Sequence, residues 1–264
     1  MNSPVRARRT LSIVIPTYNE RESLARLVVA VTTMFAAHGI DGEIVIVDDD
    51  SPDGTGQLAE TLRERYPVQV VHRPGKLGLG TAVLEGFQVA SGRVLGVMDG
   101  DLSHPPELVP AMLDLIESSD VDFVVGSRYI PGGGAPDWGV GRLVMSRLAC
   151  ALARGLTPVK DATSGFFLVR PAVVHGVRIS AAGFKICLEL LIRGRAQSIA
   201  EVPYEFTNRT AGASKMNPRE ALGYLRQLWD LYLWWFTARR ASDRRRRYRR
   251  VPPVSGQKTL IPAP

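Results

Sequence analysis

Short β-branched runs alternate with helical stripes through the first hundred positions of the chain. Leu11 to Ile15 is an apolar run that predicts a buried strand. Leu24, Leu27, Val28, Val31, Met34 and Phe35 then recur at helical spacing until His38-Gly39, and Asn19-Glu20-Arg21-Glu22 predicts an N-cap with a capping-box glutamate ahead of them. Glu43 to Val47 reads as a second strand, followed by the turn-forming run Asp48 to Thr55 and a helix through about Arg65. Val68 to Val71 gives a third strand, the Gly-rich loop 75 to 80 opens another helix, and a fourth strand ends at Met98. This β-α-β-α-β-α-β order predicts a right-handed parallel sheet of the nucleotide-binding kind, hence an α/β, Rossmann-like first half.

The second half is less regular. A helix near 106 to 118, a strand Phe123 to Gly126, a mobile-looking Pro131-Gly132-Gly133-Gly134 segment, a helix near 142 to 153 and a strand near 165 to 169 are predicted. A helix near 185 to 195 and an extended run near 199 to 206 follow. Residues 219 to 236 carry Leu222, Leu225, Leu228, Trp229, Tyr232, Leu233, Trp235 and Phe236 as the apolar set of one more helix. Arg226 and Asp230 interrupt it, and it falls short of the roughly 20 predominantly apolar residues a span requires. It reads either as a membrane-interfacial helix or as one docked on the core.

Charge changes the picture only when located. Residues 239 to 250 hold eight arginines against Asp243, which accounts for the whole net charge of +7, while residues 10 to 238 carry a small acidic excess. Basicity is thus a property of the tail. The expected organisation is a basic arm over 1–10, a catalytic domain over 11–218, an amphipathic helix over 219–238, and an Arg-rich then Pro-rich disordered tail over 239–264. Cys150 and Cys187 have no metal-ligand or CxxC spacing, so neither a zinc site nor a disulfide framework is implied. No apolar run precedes a cleavage-type site, and a reducing cytosol fits best.

Candidate chemistry collects at the predicted strand ends, where open α/β sheets bind ligands: Pro16 to Glu20, Asp48 to Asp53, and Asp99 to Asp101. In Asp99-Gly100-Asp101 the period of a strand points both carboxylates one way, so they can share a hard divalent cation that also holds a diphosphate. An ordinary solvated turn is the alternative reading of that motif. The loop Gly75-Lys76-Leu77-Gly78-Leu79-Gly80 matches neither the P-loop nor the dinucleotide fingerprint, and serves as well for a helix start as for close approach to a ligand. His72, His104 and His175 stand apart and read as structural.

Together these motifs resemble the inverting family 2 glycosyltransferases of GT-A fold, most closely the dolichyl- or polyprenyl-phosphate mannose synthases. The resemblance runs over about residues 11 to 220. It is carried by Ile15-Pro16-Thr17-Tyr18-Asn19-Glu20, Val47-Asp48-Asp49-Asp50-Ser51-Pro52-Asp53-Gly54-Thr55, Lys76 to Ala82, Met98 to Pro105, Gly126-Ser127-Arg128-Tyr129, and Asn208-Arg209 with Gly212, Ser214 and Lys215. It implies that Pro16, Tyr18, Glu20, Val47 and Asp49 hold the guanosine part of GDP-mannose, and that Asp99 and Asp101 hold Mg2+ or Mn2+ with the Gly100 backbone beside them. Arg128, Arg209 and Lys215 are implied to meet phosphate, with Asp99, Asp101 and Arg128 as the catalytic set. Gly100 stands where the family commonly has alanine, and Ala162 to Phe167 lacks the family's arginine. The segment from Phe184 to Cys187 lacks the glutamine of the eukaryotic enzymes.

The expected reaction is mannose transfer from GDP-mannose to a polyprenyl phosphate at the inner face of the cell membrane, by a cytoplasmic, peripheral enzyme. A phosphate monoester is already ionised at neutral pH and needs no general base; an alcohol acceptor would want one, for which Asp161 and Glu189 are available. Transfer from a UDP-sugar is the alternative within the class. A nucleic-acid-binding role for the Arg-rich tail is the alternative outside it. The expected partners are the donor, the lipid phosphate, an anionic membrane surface and a separate membrane-anchoring protein, rather than nucleic acid.

Overall fold

A computed structural model describes residues 9–177, 185–207, 218–238 and 247–250. The chain runs β1 (Leu11–Thr17), α1 (Arg21–Ala37), β2 (Gly42–Asp48), α2 (Thr55–Arg63), β3 (Val68–His72), α3 (Leu79–Val89) and β4 (Val94–Val97). After a 3₁₀ turn at Pro106–Leu108 come α4 (Val109–Ser118), β5 (Phe123–Ser127), α5 (Val140–Ala153), β6 (Phe167–Val169), α6 (Pro171–Val174) and α7 (Ile186–Arg193). β7 (Ser198–Pro203), α8 (Pro218–Ala238) and β8 (Arg247–Arg250) complete the described elements.

One eight-stranded sheet orders them β3-β2-β1-β4-β6-β5-β7-β8. β1 pairs in parallel with both β2 and β4, and β2 with β3, as the βαβ pattern predicts. β6 lies antiparallel between β4 and β5. Both faces are covered, so β2 is buried along its whole length, and Ile44 to Val47 between Glu43 and Asp48 is an unbroken apolar run. α3 seats closely on the sheet because Gly86 lacks a side chain: a methyl group there would come within 2.5 Å of Val14 Cγ1. The core forms mainly two clusters, one around α1 and α4, the other around α7 and the inner face of α8.

Three local expectations change. The N-cap of α1 is Glu20, not Asn19, and no side chain of its own caps the helix; Asn19 is used in a left-handed turn, and Asp53 Oδ2 instead accepts the Arg21 N–H at 3.2 Å. The Pro131 to Gly134 segment is anchored rather than loose. The Gly134 N–H donates to the Tyr204 carbonyl at 3.0 Å, and the Phe206 N–H donates to the Gly134 carbonyl at 2.8 Å. Within the tail read as disordered, Arg247–Arg250 pairs in parallel with β7.

Candidate functional site

Each of β1, β2 and β4 is followed by a non-glycine residue in the left-handed region: Asn19, Asp50 and Leu102, with φ of 61°, 55° and 64°. Such residues persist only where surroundings over-determine them, and here they mark the loops at the ends of three neighbouring strands. Asp48 is consumed in building the second of these loops. Its Oδ1 accepts from Thr17 Oγ1 (3.0 Å) and Ser51 Oγ (2.6 Å), and its Oδ2 accepts from the Ser51 N–H (3.0 Å). Asp53 is likewise committed, to Thr55 and the Arg21 N–H; these hydrogen bonds outweigh burial and hold its carboxyl below the usual range.

Pro16 and Val47 sit opposite each other in the β1–β2 register, and Thr17 faces Asp48. Beyond them Tyr18 is exposed, with Lys76 Nζ 4.1 Å from its ring centroid, a cation–π contact from the Gly-rich loop. Asp49 is buried, its N–H donating to the Thr17 carbonyl and its carboxylate paired with the buried Arg73. Sequence reading missed Arg73. Its only signal was a cation ending an alternating strand just before the Gly-rich loop.

At the end of β4, Gly100 packs against the β1 loop: a methyl group there would lie 3.2 Å from Glu20 Cγ. Asp101 is buried, with Oδ1 accepting the Ser103 N–H at 3.0 Å, whereas Asp99 keeps a partly exposed carboxylate. Gly165, from the loop before β6, lets the Asp99 carboxylate lie close against the chain; a methyl group would come within 2.8 and 2.9 Å of its two carboxylate oxygens. β4 ends at Val97, so Asp99 and Asp101 lie in the turn beyond it and the two-residue period of a strand, expected to point both carboxylates one way, does not apply to them; both remain hard oxygen donors of the kind a divalent ion takes. Among the described residues no set of three or more His, Cys, Asp and Glu forms a metal cage.

His104 fixes this loop from behind. Its Nδ1 accepts the Asp99 N–H at 3.1 Å, which leaves the proton on Nε2, 3.7 Å from Asp99 Oδ2. The ring stacks on Phe166 at 5.1 Å and meets Tyr204 and Phe206 edge-on. Burial pushes its pKa below the usual histidine range, against the pull of Asp99 and Asp101, so the imidazole is neutral.

Arg128 enters from β5, bound to the fully buried Asp161 through two 2.7 Å hydrogen bonds, Nε to Oδ2 and Nη2 to Oδ1. The Arg128 N–H adds a third bond to Oδ2 at 3.0 Å, and the guanidinium lies over the Trp138 ring at 5.0 Å. Glu201 on β7 positions Asp161 in turn, accepting its N–H at 3.1 Å. The Arg128 charge is therefore balanced by Asp161, a partner that the expectation of a phosphate contact did not include. Lys185, before α7, lies within electrostatic reach of the same groups; burial and then Arg128 push its pKa down, against Asp99 and Asp161. Glu189 is locked to Arg193 (2.9 Å) and Gln227 (3.2 Å), its carboxyl pushed up by burial. The expected phosphate contacts Arg209 and Lys215 lie outside the described residues.

The family model for Glycosyl transferase family 2 matches residues 12–176, a span that holds all three strand ends and Arg128. The chain belongs to glycosyl transferase family 2. It is 42% identical over 228 residues to a dolichol-phosphate mannosyltransferase of Pyrococcus furiosus, covering 85% of this chain and 64% of that protein. It is 37% identical over 241 residues to a protein of the same name from Saccharomyces cerevisiae, covering 86% and 88%. Among solved structures it is similar to mannosyl-3-phosphoglycerate synthase of Rubrobacter xylanophilus, with TM-score 0.64, 19% identity and coverage of 89% and 77%. It is also similar to glucosyl-3-phosphoglycerate synthase of Mycobacterium tuberculosis, crystallised with Mn2+ and UDP, with TM-score 0.60, 21% identity and coverage of 85% and 79%. The expected GT-A-type α/β fold is thereby established, as is membership of a transferase family.

Proposed function

We propose that the chain transfers mannose from GDP-mannose to a polyprenyl phosphate with inversion, and that Asp99 and Asp101 hold a divalent metal, Mg2+ or Mn2+. The observation that carries this reading is the disposition of the carboxylates. Asp99 keeps a partly exposed carboxylate in the turn after β4, two residues before Asp101, whereas Asp161 and Glu189, the two side chains that could serve an alcohol acceptor as base, are tied into ion pairs. An acceptor that arrives already ionised needs neither. The relatives at 37 to 42% identity, named as dolichol-phosphate mannosyltransferases, support the same substrate class.

In this reading Tyr18, Asp49 and the Gly-rich loop hold the base, and Glu20 and Gly100 shape the path to the diphosphate. When bound, the metal supplies positive charge that stabilises the leaving diphosphate. His104 holds the Asp99 backbone and so fixes where its carboxylate stands. Arg128, oriented and neutralised by Asp161, offers directed N–H donors to phosphate, and Arg209 and Lys215 add net positive charge. The barrier that these groups lower is that of separating charge at the sugar carbon, so orientation and fixed donors do the work.

We also propose that the enzyme works as a peripheral protein at the inner membrane face. α5 and α8 are held together by Tyr224 Oη and Tyr232 Oη, which donate to the carbonyls of Ala149 and Leu152 at 2.6 and 2.8 Å. Their outer faces expose Val140, Val144, Leu148 and Leu152 on α5, and Leu222, Leu225, Trp229, Leu233 and Phe236 on α8. Arg147 on α5, Arg154 just after it and Arg226 on α8 are exposed as well, a mixture of apolar and basic side chains that anionic headgroups favour. No helix among the described residues is long and apolar enough to cross a membrane.

The test is a donor panel of GDP-mannose, GDP-glucose and UDP-glucose with a radiolabelled-product assay on polyprenyl phosphate, with and without chelator. Transfer from GDP-mannose that chelator abolishes supports the reading; preference for UDP-glucose overturns it.

A further inference from the structure

Arg73 is a charged side chain only 2% exposed at the end of β3, yet it belongs to no part of the expected site. Its guanidinium reaches three separate segments. Nη1 pairs with Asp49 Oδ1 beyond β2 and donates to the Gly78 carbonyl at 3.3 Å; Nη2 donates to Thr81 Oγ1 at 2.6 Å; and Nε lies 3.0 Å from Glu85 Oε2 on α3. The backbone is also fixed, for the Arg73 N–H donates to the Asp48 carbonyl at 2.9 Å. Thr81 Oγ1 closes the arrangement against the carbonyls of Leu77 (3.0 Å) and Gly78 (2.8 Å).

Such a hub constrains two things at once. It takes one oxygen of Asp49, which fixes the plane of that carboxylate and decides which edge remains for a ligand. It also fastens the loop from Gly75 to Gly80, whose Gly78 has φ of 102° and whose Lys76 stacks on Tyr18. A buried arginine bound to one carboxylate alone could be replaced by an apolar residue on both sides at little cost. An arginine whose planar fork is divided among a strand end, a loop carbonyl and a helix hydroxyl does something lysine cannot copy.

We propose that Arg73 is a positioning residue for nucleotide-base recognition: it sets Asp49 and the Gly75–Gly80 loop in the one relation that accepts a guanine base. This rests on the reading that Asp49 and Tyr18 hold the base of the donor. Guanine offers adjacent N–H donors to a carboxylate, whereas uracil offers one between two carbonyls, so the fixed plane of Asp49 selects between them.

Calorimetric titration of the full chain with GDP and with UDP, beside steady-state kinetics, tests this on Arg73→Lys and Arg73→Gln. The expected result is GDP affinity weaker by about tenfold or more, the scale of one lost charged hydrogen bond. The GDP-over-UDP preference shrinks, the donor KM rises to match, and kcat at saturating donor stays within about twofold. Thr81→Val, which keeps the Asp49 pair and loses the loop tie, shows the same shift to a smaller degree and serves if the arginine variants do not fold. Folded variants with parental GDP affinity and preference overturn the proposal. So does a loss of kcat in step with a falling melting temperature and an unchanged nucleotide preference. A parent chain that does not prefer GDP overturns the donor reading instead, and the affinity change on Arg73→Lys then still reports on the positioning role.

Discussion

Arg128 and Asp161 meet edge to edge, with two 2.7 Å hydrogen bonds between a guanidinium 8% exposed and a carboxylate with no exposure at all. Breaking one half of such a pair strands the other charge in the interior. Asp161→Asn is therefore expected to destabilise the fold by about 3 to 5 kcal/mol, read as a lower urea midpoint, while the charge-free double variant Arg128→Met with Asp161→Leu recovers part of that loss. A single variant as stable as the parent would contradict the burial of the pair. The double variant separates stability from function, since on the proposed reading it stays inactive.

His104 makes a different kind of contribution, because its partner is a backbone N–H. His104→Phe preserves the stack on Phe166 but leaves the Asp99 N–H without its acceptor. An unmet buried donor costs about 1 to 3 kcal/mol, enough to let the Asp99 loop relax. We expect the variant to fold and its metal-dependent turnover to fall about tenfold or more. Turnover at the parental level would show that Asp99 needs no such support.

The nucleotide-binding half was legible in the sequence because strand and helix periodicities alternate cleanly there, and because Pro16 to Glu20, Asp48 to Asp53 and Asp99 to Asp101 fall at strand ends. The roles of the individual aspartates were not. Asp48, Asp49 and Asp50 look alike in sequence, yet one is a turn organiser, one is half of a buried ion pair and one is exposed in the left-handed region. Only the fold decides this, since Thr17, Ser51 and Arg73 come from other segments. The same holds for Arg128, whose neutralising partner lies 33 residues away. β6 also escaped assignment of its direction, because a three-residue strand carries no signal of being antiparallel.

Gly165 tests the clearance around Asp99. A methyl group at this position would press to within 3 Å of both carboxylate oxygens, so Gly165→Ala must move Asp99, Phe166 or both. Displacement of a reacting group by about 1 Å commonly costs on the order of 100-fold in rate, which sets the expected loss of turnover. GDP affinity measured without metal should change far less, since Tyr18 and Asp49 lie on other loops. An equal loss in both measurements would place Gly165 in folding rather than in the site.

At the opposite end of the strands, Glu43 is expected to contribute to stability against acid. It accepts hydrogen bonds from Ser12 (2.6 Å), from the Ser91 N–H and hydroxyl (2.6 and 2.8 Å) and from Gln69 (2.8 Å). Burial raises its pKa, but these bonds outweigh it and bring the carboxyl below its ordinary 4.5. Below that ordinary value the unfolded chain binds the proton more readily than the folded one, so stability falls as pH falls towards the folded pKa. Glu43→Gln removes this proton linkage. Urea titrations from pH 7 to pH 3 should show a flatter decline than the parent, by up to about 1.4 kcal/mol per pH unit inside the window. An unchanged slope would mean that other carboxylates carry the acid sensitivity.

The apolar set of α8 reconciles two readings that the sequence left open. Tyr224, Leu228 and Leu231 face the core, whereas Trp229 (67% exposed) and Phe236 (65%) face outward with Leu222, Leu225 and Leu233. The helix is thus docked through one face and presents another, beside the exposed stripe of α5. Burying a side chain of this size in a lipid interface contributes about 1.5 to 3 kcal/mol, so Trp229→Ser with Phe236→Ser should weaken binding to anionic vesicles tenfold or more. Because both positions are exposed, the melting temperature should barely move. Turnover on detergent-solubilised acceptor should persist, since neither side chain belongs to the strand-end loops. Salt should weaken the parent's vesicle binding by screening Arg147, Arg154 and Arg226, leaving an apolar remainder that the double variant lacks. Vesicle binding equal to the parent's would remove this face from the membrane contact.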